Sequence, residues 1–255
     1  MARYFLDTGV LVGLTFLHDG WRTEAERVFE SNNTFYVNCI VIYEYCNRER
    51  GKSREETSVD WESNNGVFGR ILSKARIAQW NVETRLESLS DDELDLDNLV
   101  EVYLEEAGVY DQEHVDEDLI TEYIRPQLRD YLLEVIDDRP LTRSVAMESM
   151  IALCSEVVDG AHRKRDEIRD RVRERNVAPS DRKQYVDNLR FIDGRDDTDI
   201  LASVAHLEDG NVLEKLITTD NSHIYSQRDR IKLDVGVTIV FIKDELAEPP
   251  SSSSY

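Results

Sequence analysis

Apolar positions along this chain follow two rhythms, and the places where one gives way to the other mark its elements. Tyr4-Phe5-Leu6 is a short apolar run that stops at Asp7-Thr8-Gly9, which predicts a buried strand handing over to a helix. Val10, Leu11, Leu14 and Leu17 then recur at helical spacing. Gly20 and Thr23 introduce a second amphipathic helix carrying Ala25, Val28 and Phe29, and Thr34-Phe35-Tyr36-Val37 predicts a second buried strand. Asn38 has the chemistry of an N-cap for the run Ile40-Val41-Ile42-Tyr43-Glu44-Tyr45, which is apolar but for one carboxylate. From 51 to 186 strand-like runs are few and helical periodicity dominates, most clearly in Met147, Met150, Ile151, Cys154, Val157 and Val158, so a large all-helical insertion is expected there. Strand and helix alternate again after Leu189. Asp196-Asp197 opens a helix bearing Ile200, Leu201, Ala202, Val204 and Ala205, which Asp209-Gly210 closes. Leu216-Ile217-Thr218-Thr219-Asp220 predicts a strand that again ends on a carboxylate, and Val235 to Ile242 a last strand. Residues 246–255, with Pro249-Pro250 and Ser251 to Ser254, read as a disordered tail.

Strands separated by helices predict an α/β domain, assembled here from residues 1–50 and 187–245 around the 51–186 insertion. With 255 residues and a hydrophobic fraction of 40%, the chain has enough apolar side chains for a real core. No window holds the roughly 18 apolar residues that would cross a bilayer, and the first residues lack the long apolar run of a signal peptide. A soluble, cytoplasmic protein with no membrane association is expected. Cys39, Cys46 and Cys154 have no CxxC spacing, so buried thiols are expected rather than a disulfide framework or a zinc site.

Charge changes the picture more than size does. The 53 acidic residues outnumber 31 basic ones, for a net charge of -22. Arg outnumbers Lys heavily, and this composition resembles the acidic proteins of salt-in halophilic archaea, in which molar salt screens self-repulsion. Within the insertion, residues 87 to 138 are strongly acidic, with Arg125 and Arg129 their only bases. Residues 161 to 190 are the one sustained basic stretch. There, Arg165, Arg169 and Arg173 recur at helical spacing and are candidate nucleic-acid contacts, while Glu167–Arg171 and Asp166–Arg169 are equally spaced to form a self-neutralised helix face.

Ligands of parallel α/β sheets bind beyond the carboxyl ends of the strands, and carboxylates recur at those places here. Asp7 follows the first strand, Asp220 ends a later one, Asp197 opens a helix and Glu44 interrupts an apolar one. Acids gathered in one pocket repel one another unless a divalent cation compensates. Taken singly, Asp197 also suits a helix start and Asp7 and Asp220 a turn. Glu44, among apolar neighbours, needs a partner or a cation.

In order and spacing, Phe5-Leu6-Asp7-Thr8, Asn38-x5-Glu44, Asp197-x2-Ile200-Leu201-Ala202 and Ile217-Thr218-Thr219-Asp220 resemble the PIN-domain nucleases. The resemblance covers about 105 residues. It implies a three-layer α/β/α core with a central parallel sheet, and a metal-dependent endoribonuclease that uses Mg2+ or Mn2+. It further implies Asp7 and Asp197 as principal ligands, Asp220 as the fourth acid and Glu44 completing the set. Thr8, Asp196, Asp199 and Thr219 form a second tier, able to orient the ligand carboxylates, to substitute for them, or simply to be structural. RNA is the implied substrate; a second copy of the chain and a protein bound through the insertion are further expected partners. Gly9, where the family usually has Ser or Asn, and Asn38, where it has Ser or Thr, depart from the pattern. The long insertion separates this chain from small toxin-type PIN ribonucleases, and the alternative is a non-catalytic PIN-like scaffold that binds a protein or RNA partner through it. Other classes fit less well. A haloacid-dehalogenase nucleophile needs a second Asp two residues on, where Gly9 stands, and Gly9-Val10-Leu11-Val12-Gly13 lacks GxGxxG spacing.

If the acidity is an adaptation to salt, melting should rise between ~0.1 and ~2 M KCl as the Debye length falls to about 3 Å and below. A melting temperature that does not move across that range would contradict it.

Overall fold

Strand β1 (Arg3–Leu6) lies at the centre of a five-stranded sheet, and nearly every side chain on it is buried. Its neighbours are β2 (Thr34–Val37) and, beyond it, β3 (Arg173–Glu174) on one side, with β4 (Lys215–Thr218) and β5 (Ile239–Phe241) on the other. All four pairings are parallel, with Phe5 aligned on Tyr36 and on Leu216. This computed structural model describes residues 1–90, 93–111 and 115–244, so the expected disordered tail, 246–255, lies outside the described residues.

A parallel sheet needs helices on both faces, and the strand order supplies them. From β1 the chain steps outward to β2 and β3, then returns past β1 to β4 and β5, and right-handed crossovers put α1 (Thr8–Thr15) and α2 (Arg22–Glu30) on one face. By the same rule α10 (Arg195–Asp209) and α11 (Arg228–Val235) cover the other. The result is the expected three-layer α/β/α arrangement with a helical insertion. Phe5, Leu6, Phe35, Val37, Leu216 and Ile217 are fully buried between the layers. At about 25 cal/mol per Å², burying such side chains is the main favourable contribution to folding.

Two compact units divide the chain. The first contains Met1–Leu14, Thr23–Val67 and the residues from Glu167 onward; the second contains Thr15–Arg22 and Phe68–Asp166. The expected insertion, 51–186, is therefore wider than the second unit and misses Thr15–Arg22. Residues 167–186 are not all helical, because β3 separates the end of α8 (Arg143–Arg171) from α9 (Pro179–Val186). Arg171 brings this segment onto the first unit by stacking its guanidinium 4.5 Å from the Phe29 ring. The last strand is also shorter than expected: Val235 ends α11, and Gly236, at φ 82°, provides the left-handed cap that Val235 could not.

The second unit is helical, built from α4 (Gly66–Ser88), α5 (Leu96–Glu106), α6 (Glu117–Leu119), α7 (Arg125–Ile136) and most of α8 (Arg143–Arg171). Leu72, Val82, Leu86, Leu128, Leu132, Met150, Leu153 and Cys154 fill its core. Buried inside it, Tyr103 Oη and His18 Nδ1 share a 2.8 Å hydrogen bond, and burial holds the His18 pKa down at about 4. Cys46 and Cys154 are buried thiols as expected, while Cys39 is half-buried. Among the described residues no helix is long and apolar enough to cross a membrane.

Candidate active site

The strand order reverses direction between β1 and β4, so a crevice opens at their carboxyl ends. Asp7 continues β1, its backbone N–H still donating to Ile217 O at 3.1 Å, and only 6% of the residue is exposed. Its carboxylate takes two neutral donors: the Thr8 N–H to Oδ1 at 2.8 Å and the Thr218 hydroxyl to Oδ2 at 2.7 Å. Thr218 Oγ1 in turn accepts the Asp220 N–H at 3.0 Å. One buried hydroxyl thus joins the ends of both central strands. Sequence reasoning missed Thr218, because a β-branched residue inside a strand reads as packing.

Glu44 arrives from the other side of β1. Asn38 caps α3 (Cys39–Ile42), accepting from Ile40 N and Val41 N at 3.0 Å each, and the helix continues as a single π turn, Tyr43–Asn47, that carries Glu44. Such turns often mark functional sites. Asn47 pins this one: its Nδ2 donates to Ile42 O at 3.1 Å and Asp60 O at 2.8 Å, and its Oδ1 accepts the Asp60 N–H at 2.8 Å. Gly66, at φ 60°, passes so close that a Cβ would lie 2.5 Å from Glu44 O. Thr8 Oγ1 donates to Glu44 Oε2 at 2.8 Å, so this second-tier residue does orient a carboxylate. Thr219 fills the space beside α1 instead: a Cβ on Gly9 would fall 2.0 Å from its Oγ1, which accounts for glycine at that position.

Three aspartates crowd the first turns of α10, and helix geometry sorts them. Asp196 and Asp199 share a face, where Arg54 binds both, Nη1 to Asp196 Oδ1 at 3.0 Å and Nη2 to Asp199 Oδ2 at 2.5 Å. Arg182 adds a contact to Asp199 at 3.7 Å. Asp197 lies about 200° around the helix from Asp199, and among the described residues its carboxylate makes no hydrogen bond or ion pair. Arg195, which stands beside the cluster, pairs with Glu55 at 2.6 Å. Asp220 Oδ1 accepts the N–H groups of Ser222 at 2.9 Å and His223 at 2.8 Å, and His223 Nδ1 lies 3.4 Å from its Oδ2.

Asp7, Glu44 and Asp197 are each raised by burial and by neighbouring acids. Burial, then Asp7, Asp197 and Asp196, push the Glu44 pKa up to about 8 against the donation from Thr8. Asp197 rises to about 6, through burial first and then the charges of Asp7, Asp220 and Asp196, with His223 opposing. Asp7 is raised by burial above all, with a smaller push from Asp220, while Thr218 and Thr8 act the other way. Oxygen-only, mutually repelling carboxylates, one of them without a partner, are a donor set that suits a hard divalent cation. Among the described residues no three His, Cys, Asp or Glu side chains form a group that would hold a metal ion.

The basic stretch is not a single surface. Arg165 is 4% exposed with its guanidinium 4.5 Å over the Phe68 ring, Arg169 pairs with Glu62, and α8 ends at Arg171, so Arg173 stands on β3 and not on the same helix face. A helical register extended two residues too far had put the three together. A buried Arg165 is not available to a phosphate backbone, and Arg173 alone of the three is exposed and without a carboxylate partner among the described residues.

Compared against protein-family models, curated proteins and solved structures, the chain finds no match in any of the three.

The Glu44 shift has a stability consequence. Between its ordinary pKa of 4.5 and its folded value of about 8, the folded state keeps a proton that the unfolded state has lost. Stability therefore falls as pH rises through that window. Glu44→Gln should remove this loss, gaining about 1–3 kcal/mol over the parent at pH 8–9 and nothing near pH 4. Urea midpoints for both proteins across that range, taken in chelator, test it; parallel curves would show that Glu44 titrates normally.

Proposed function

We propose that this chain is a metal-dependent endonuclease of the PIN-like kind, hydrolysing RNA phosphodiester bonds in the cytoplasm with Mg2+ or Mn2+ held by Asp7, Glu44, Asp197 and Asp220. The observation that carries this reading is that Asp7, Glu44 and Asp197, from three separate segments at the sheet's switch point, are raised by burial and by neighbouring acids, Asp220 among them, with Asp197 unpartnered among the described residues. A bound divalent cation supplies polarisation of the phosphodiester and a lowered pKa for an attacking water.

The chain's own residues prepare that chemistry. Thr218 and Thr8 hold the Asp7 carboxylate from both oxygens, so it presents a fixed lone-pair geometry to the crevice. Arg54 draws Asp196 and Asp199 to the far face of α10, leaving Asp197 as the acid free to bind. Glu44 keeps its proton near neutral pH, which limits the negative charge gathered at the crevice. Water-based hydrolysis needs no covalent enzyme intermediate, and a halophilic setting would screen the repulsion between a -22 chain and a polyanion.

The rival reading, a non-catalytic scaffold, is favoured by one observation: among the described residues no three acids form a group that would hold an ion. Asp7→Asn and Asp220→Asn distinguish the two. Each should lower manganese-dependent cleavage of single-stranded RNA in high salt by about 10²-fold or more. Melting without metal should be unchanged or higher, since each change removes a repelling charge. Undiminished cleavage by both variants would remove these residues from the mechanism, and a parent inert with either metal would leave the scaffold.

A further inference from the structure

Helix α4 buries one face in the core of the second unit, through Phe68, Leu72, Ala75, Val82 and Leu86. Its opposite face is exposed along its whole length and has an order of its own. Arg70, Ser73, Ile77, Trp80, Thr84 and Glu87 are all exposed, and they follow one another at alternating intervals of three and four. That is the spacing of a helix-pairing seam. Trp80 is 83% exposed and Ile77 56% exposed, which places two large apolar side chains next to each other at its centre. Exposed apolar residues scattered singly need no explanation; a Trp and an Ile at seam positions, flanked symmetrically, are not scattered.

The flanks identify the occupant. About a point midway between residues 78 and 79, the seam is complementary to its own reverse. Ile77 answers Trp80, Ser73 answers Thr84, and Arg70 answers Glu87. A two-fold axis through that point would lay α4 antiparallel on a second α4. Apolar would meet apolar at the centre, small polar would meet small polar beyond it, and two Arg–Glu pairs would close the ends. Neither Arg70 nor Glu87 has an ion-pair partner among the described residues. Self-complementarity of this kind is what an isologous interface requires, and a central Trp is the residue type that most often carries the binding energy of one.

We infer that α4 is a homodimerisation helix whose occupant is a second copy of this chain, packed antiparallel with Trp80 and Ile77 at the two-fold axis. The inference is independent of the carboxylate site and of its chemistry. Repulsion between two chains of charge -22 opposes the contact, and salt screens that long-range term before it affects pairs in direct contact.

Sedimentation of the full chain in about 0.5 M KCl, where the Debye length is about 4 Å, tests the pairing. With a micromolar dissociation constant, the mass should climb with concentration from 29.6 kDa towards twice that value. Trp80→Glu lies on the surface and should leave melting unchanged while weakening association by about 10²-fold or more. Arg70→Glu and Glu87→Arg should each weaken it several-fold, and the double variant Arg70→Glu/Glu87→Arg should restore it, because the axis pairs each position with the other. A parent that stays monomeric to about 100 µM, well above a micromolar constant, would overturn the inference. Dimers indifferent to Trp80→Glu would overturn it too, as would a double variant weaker than both single variants.

Discussion

Burying negative charge beside negative charge is costly, and at the end of this sheet the donors that offset it on Asp7 and Glu44 are neutral. Asp7 takes a backbone N–H and a threonine hydroxyl, and Glu44 takes one hydroxyl. Among the described residues Asp197 takes neither. The Arg54 and Arg182 guanidiniums are committed to Asp196 and Asp199 of α10. Each piece of local structure around the crevice serves this arrangement. β1 and β4 bring Asp7 and Asp220 to adjacent strand ends, the π turn pinned by Asn47 presents Glu44, and Arg54 sorts the three aspartates of α10. A proton kept on Glu44 lowers the repulsion among these carboxylates.

What could be read from the residues alone divides along a physical line. β1, β2 and β4 are continuous apolar runs ending on polar residues, so their positions and the carboxylates just beyond them were legible, as was the Asn38 cap, whose two bonds depend only on local chain geometry. Asp7 and Asp220 follow β1 and β4, which pair side by side, so the nearness of those two carboxylates was legible in the same way. Where an element depends on distant partners, the residues were silent. β3 is an exposed Arg-Glu pair that is a strand only because β2 lies beside it. Thr218 becomes a bridge only when β1 and β4 are neighbours, and Arg54 reaches Asp196 across more than a hundred residues of chain. Arg165 shows the opposite failure: its charge suggested surface, and an aromatic ring with a helical core buried it.

The acidity itself is not concentrated at the site. Much of it lies in the second unit, whose residues between 87 and 138 are nearly all acidic where they are charged. Helices so charged hold together through their buried faces, such as Leu128, Leu132 and Ile136 of α7, and tolerate the outer charge as long as solvent and salt screen it. Within that surface the seam of α4 is an exception, with bases and acids at opposite ends and apolar side chains between.

The central claim is that the four acids form one cation site, and a crystal soaked in Mn2+ addresses it most directly. An anomalous peak within about 2.3 Å of carboxylate oxygens from Asp7 and Asp197, close to the distance expected for a small divalent ion, with Asp220 and Glu44 drawn towards it directly or through water, is the outcome expected. A soaked crystal with no peak in the crevice, or with manganese bound only at acids elsewhere on the surface, would contradict it.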